Sequence, residues 1–131
     1  MTQRGRMMPS FRMTAIVASA ICFMLAFVWL MAPHIMLALW KINAAPATLV
    51  TARRMAPLFL GIGFLLFCAR DISEPAARAA IALGLTIACG GLAVLGVFEL
   101  AAHNIGPGII LAVLVEAALA AAFARHTRRA N

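Results

Sequence analysis

Negative charge is scarce in this chain. Its 131 residues hold four Asp or Glu against eleven Lys or Arg, and charged residues of both signs make up 11%. A water-soluble domain is about 25% charged, so too few polar side chains exist here to cover a core. The three cysteines contain no Cys-x-x-Cys pair. Their odd count, with Cys22 and Cys89 inside apolar runs, argues against a disulfide framework and for packing as small hydrophobes. His34, His103 and His126 are too scattered for a metal-ligand motif. No Gly-x-Ser-x-Gly, His-Glu-x-x-His or phosphate-binding loop occurs. The expectation is therefore a non-enzymatic protein with no metal and no cofactor.

What is present is apolar. Hydrophobic residues make up 65% of the chain, and the mean hydropathy is +1.01. The charges sit in short clusters between long apolar runs, the pattern of a polytopic membrane protein. The net charge of +7 would suggest nucleic acid in a soluble protein. Here the basic residues flank apolar runs without interleaved aromatics. They read as a topology signal and as contacts to lipid headgroups, with no nucleic-acid partner.

Residues 13–40 contain no Asp, Glu, Lys or Arg, more than the ~20 residues a span needs. Pro33 divides this run into a first span at 13–32 and a short interfacial helix at about 33–42, with Trp29 and Trp40 suited to the headgroup zone. A cleavable signal peptide is the rival reading. The small-residue triplet Ala18-Ser19-Ala20 comes too early in the run for cleavage, so an uncleaved span is expected. The break at Asn43-Ala44-Ala45-Pro46 opens a second span at 47–69. Its charge-free part, 55–69, rises only about 22 Å. The span must therefore take in Arg53 and Arg54, unless they mark its end and snorkel outward. Gly61 and Gly63 would let a neighbouring helix approach. After the mixed-charge stretch at 70–78, Ser73-Glu74-Pro75 reads as a helix start. A third span at 79–102 carries Ala80, Gly84 and Ala88 at i, i+4 and i+8, a small-residue packing face. His103-Asn104-Ile105-Gly106-Pro107-Gly108 is a turn, and a fourth span covers 107–124. The expected fold is all-α: a four-helix transmembrane bundle in one domain, residues 1–131.

Orientation follows the basic residues. With the N-terminus inside, Arg4, Arg6, Arg12, Arg70, Arg78, Arg125, Arg128 and Arg129 lie on the cytoplasmic side. At most Lys41, Arg53 and Arg54 lie outside. This places both termini in the cytoplasm of a cell with an inner (plasma) membrane.

Two acids fall within spans. Glu116 is nine residues past Pro107, about 14 Å of rise and close to the midplane. Glu99 sits in the last turn of the third span. A carboxylate in a span costs roughly 2.5–3.5 kcal/mol on insertion scales and normally faces the bundle interior, paired or protonated. Arg53 and Arg54 lie at matching depth, and Arg can hold a carboxylate with two hydrogen bonds. The candidate site is thus a buried polar cluster of Arg53, Arg54, Glu99 and Glu116, with His103 at its rim. Such a cluster either fixes helix register or binds a ligand or ion.

The text of residues 33–42, followed by Arg53-Arg54-Met55-Ala56-Pro57-Leu58-Phe59-Leu60-Gly61-Ile62-Gly63, resembles a group of small four-helix bacterial inner-membrane proteins of unknown function. These have a short amphipathic stretch after the first helix and Arg just before a Gly-rich apolar run. The resemblance spans about residues 15–124 and implies a fold, without an activity. Small four-helix multidrug exporters share the size, but carry their key acid in the first helix, which has none here. Small redox-associated four-helix proteins find no support in the cysteine pattern.

Two functions remain open. The first is an accessory or interaction protein, its partners lipid and another membrane protein or copies of itself through the third helix. The second is a small proton-coupled transporter or ligand-binding protein using Glu116 and Glu99. A membrane enzyme using His103 and Glu99 comes third, since no polar loop is large enough to hold a substrate.

Overall fold

The protein is described from a computed structural model covering residues 10–127. Five helices follow in order: α1 (Phe11–Met31), α2 (Pro33–Leu39), α3 (Pro46–Ala69), α4 (Pro75–Ala101) and α5 (Ile109–Thr127). No strand occurs among the described residues. All but α2 are long and apolar enough to cross a membrane. Arg4, Arg6, Arg128 and Arg129, four of the eight residues in the orientation argument, lie outside the described residues.

Local chemistry sets the helix boundaries. Ser10 caps α1, its side chain accepting from the Met13 N–H at 3.4 Å; this starts the helix two residues before the expected Met13. Ala32 precedes a proline, which disfavours helical backbone there, and it leaves the helix at φ −138° and ψ 51°. Pro33 then opens α2 and Pro46 opens α3, each within the first turn, where the missing N–H costs nothing. Glu74 caps α4 ahead of Pro75, accepting from the Ala76 N–H at 3.5 Å.

Two helices end in the same way. After α2, Lys41 takes φ 57°, the Lys41 N–H donates to Ala38 O, and the Ile42 N–H donates to Leu37 O. After α4, His103 takes φ 59°, the His103 N–H donates to Leu100 O, and the Asn104 N–H donates to Glu99 O. Both are Schellman endings, which satisfy carbonyls that the helix leaves open. A left-handed residue is required at the turn, and here Lys and His fill the place glycine usually takes.

The long helices pack as two antiparallel pairs, α1 along α3 and α4 along α5, and neither α4 nor α5 packs along α3. The pairs join at both ends. At one end Phe11, Ala15, Ala18 and Cys22 of α1 meet Leu66 of α3, Ala82 of α4 and Phe123 of α5 in one buried cluster. The start of α1 and the end of α5 therefore lie on the same side. At the other end Trp29, Leu37, Ala52 and Ala56 knit α1, α2 and α3 together. There the Gly106 N–H donates to Trp40 O at 2.7 Å, holding the α4–α5 turn against the end of α2. Gly108 makes the contact possible: a Cβ on it would stand 2.1 Å from Leu39 O.

Candidate functional site

The structure does not bring the five expected residues together. Arg53 and Arg54 are exposed on α3, Glu99 is half-buried near the end of α4, and Glu116 is half-buried in the middle of α5. Among the described residues no ion pair joins either arginine to either glutamate; the ion pairs are Arg12–Asp71 at 3.1 Å and Arg70–Asp71 at 3.3 Å. The reason is the pairing of helices: α3 packs along α1, so the arginines and the glutamates sit on separate helix pairs. His103, expected at the rim of the cluster, lies beyond the end of α4. The helix stops at Ala101, and His103 turns out of it at φ 59°, exposed.

Glu99 instead accepts from the Asn104 side-chain amide at 2.7 Å. The helix ending explains this contact, because the Schellman turn folds Asn104 back over the last turn of α4. Glu116 has no hydrogen-bond or ion-pair partner among the described residues. One polar contact between long helices that sequence reasoning missed is the buried Ser19 hydroxyl of α1, which donates to Gly63 O of α3 at 2.8 Å. Its signal was a serine among small residues inside an apolar run, a common way for membrane helices to lock together.

The glycines divide into two groups. Gly63 is closed: a Cβ there would lie 2.8 Å from Phe23 Cε1 and 3.3 Å from Cys22 Cβ of α1. Gly96 is closed likewise, 2.6 Å from Val113 Cγ2 of α5. Gly61, Gly84 and Gly91 are open, with nothing within 4 Å of the Cβ position. On α4 the row Ala80, Gly84, Ala88 and Gly91 lies on one exposed face, within less than a quarter turn of the helix axis. The packing row read from the sequence is thus unused inside the chain.

Charge collects where α1 begins and α5 ends. Arg12 and Arg70 both hold Asp71, the Arg70 guanidinium lies 3.8 Å from the centre of the Phe67 ring, and Arg78 Nε donates to Ile72 O. Among the described residues no group of three His, Cys, Asp or Glu side chains is placed to hold a metal ion.

Comparison of the chain with models of known families, with curated proteins and with solved structures gives no match. The geometry alone therefore carries the functional argument.

Proposed function

We propose that the chain is a multi-pass integral protein of a bacterial inner membrane. In this reading it is a four-helix bundle with both termini cytoplasmic and α2 in the interface. It acts without catalysis, as an accessory or interaction subunit that associates with a second copy through α4. The membrane reading rests on what the helices expose. Phe27, Val94, Phe98 and Leu111, on three different helices, are each more than 60% exposed, and large apolar exposure of this kind marks a membrane or protein contact. The positive charges at the end shared by α1 and α5 set the direction.

One observation carries the interaction reading. The closed glycines serve contacts within the chain, while Gly84 and Gly91 stand open in a row with Ala80 and Ala88. Against lipid such a row contributes little packing, whereas against another helix it permits close backbone approach. The test is self-association in a bilayer, followed by energy transfer between labelled copies as the lipid is diluted. The wild type should give a transfer signal that Gly84→Leu abolishes, with helix content unchanged. A chain that is monomeric at every dilution would overturn the interaction reading and leave the membrane reading standing.

The unpartnered Glu116 supports a second reading. A carboxylate within an apolar helix and without a guanidinium beside it is a candidate proton-exchanging group. In this reading Glu116→Gln, and not Gly84→Leu, is the variant that removes function.

A further inference from the structure

Beyond the membrane placement, on which it rests, one cavity points to a ligand. It has a volume of about 300 Å³ and is lined by Ser10, Phe11, Pro75, Arg78 and His126. These residues come from three helices: the start of α1, the start of α4 and the last turn of α5. The volume is at the small end of ligand pockets.

The cavity's chemistry is that of an anion site. Arg78 is half-buried, and its Nε is fixed on Ile72 O. No carboxylate pairs with it among the described residues. The nearby acids are otherwise engaged: Asp71 is held by Arg12 at 3.1 Å and by Arg70 at 3.3 Å. Glu74 turns back to cap α4 on the Ala76 N–H. The terminal guanidinium nitrogens of Arg78 make no hydrogen bond among the described residues, so two donor groups remain for a ligand.

The buried Phe11 ring organises both basic side chains. His126 meets it edge-on at 5.6 Å between ring centres, and the Arg78 guanidinium lies 5.8 Å from its centroid. The Thr14 hydroxyl donates to Ser10 O at 3.3 Å, leaving its oxygen to accept from His126 Nε2 at 3.4 Å. The imidazole is thereby steered against the cavity wall. The helix starts at Ser10 and Pro75 bring the positive ends of two helix dipoles to the same space, against one negative end from the last turn of α5.

We propose that this cavity binds a phosphate group carrying net negative charge, anchored by Arg78, with His126 and Ser10 as its walls. In the membrane reading the opening faces the cytoplasmic headgroup layer. The phosphate then belongs either to an anionic lipid headgroup or to a soluble phosphate compound.

Native mass spectrometry of the detergent-purified chain tests this. The probes are short-chain phosphatidylglycerol and inorganic phosphate in separate arms, with short-chain phosphatidylcholine as the zwitterionic control. One equivalent of an anionic probe should bind saturably. Binding of phosphatidylglycerol alone assigns a headgroup, whereas binding of inorganic phosphate assigns a soluble ligand. Arg78→Gln should weaken that binding about tenfold or more, the loss of charge-assisted hydrogen bonds. Arg78→Lys should restore part of it, and Arg54→Gln, on the other helix pair, should leave it unchanged. His126→Gln provides a second variant should Arg78→Gln fold poorly. Binding of neither anionic probe, or equal binding by wild type and both cavity variants, would overturn the proposal. Extraction with alkaline carbonate separates this from a failure of the membrane reading: a chain released from membranes refutes placement, and a retained chain with no anion binding refutes only the cavity.

Discussion

The two helix pairs are closed by the same device and secured differently. In α1/α3, Gly63 lets Phe23 and Cys22 close in, and the Ser19 hydroxyl adds a buried hydrogen bond to Gly63 O. Ala15, Ala18 and Ala26 of α1 are almost fully buried. In α4/α5, Gly96 receives Val113 and no side-chain hydrogen bond crosses between the two helices among the described residues. The outer face of α4 stays open. One pair is locked by a polar contact within the chain, and the other leaves a row of small residues outside. Where apolar burial does not separate one helix partner from another, steric fit and a few polar contacts do.

The comparison depends on the joint between the pairs, and breaking that joint should have the largest effect. A side chain on Gly108 meets the Leu39 backbone carbonyl, which cannot swing aside. Gly108→Val should lower stability by about 3 kcal/mol, the upper end of overpacking costs. Unfolding in mixed detergent, followed by Trp29 and Trp40 fluorescence, measures it; an unchanged midpoint would mean that the α4–α5 turn does not dock on α2. The next effect lies inside α1/α3. Gly63→Val should cost about 2 kcal/mol, while Gly61→Val, two residues away and open, should stay within about 0.5 kcal/mol. Equal effects at the two positions, in the same unfolding assay, would remove the distinction between closed and open glycines. The smallest effect is the polar one. Ser19→Ala should cost about 0.6 kcal/mol, the mean for interhelical hydrogen bonds in membranes, read as a shift in thermal midpoint by circular dichroism.

Much of the fold was legible locally. Pro33, Pro46 and Pro75 mark helix starts by their missing N–H, and the apolar run lengths set how many long helices form. The candidate site was legible only as a set of residue types. Depth matching put Arg53 and Arg54 level with Glu99 and Glu116, but depth says nothing about which helices are neighbours. His103 could not be placed by helical periodicity, since it lies beyond the last helical residue. Asn104, which binds Glu99, is brought back by a turn whose left-handed residue is a histidine, a residue that carries no strong signal for that role.

The sequence alone determined that four long apolar helices exist, where each begins to within a few residues, and that positive charge gathers at one end. Backbone chemistry, caps and run length act within a few residues, so no knowledge of neighbours is needed. Tertiary structure decided which glycines close on a partner, which stay open, and that Arg78 and His126 frame one cavity around Phe11. Those outcomes depend on how α1 to α5 are paired. Shape complementarity between surfaces far apart in the chain selects the pairing, and hydropathy, high on every long helix, cannot encode it.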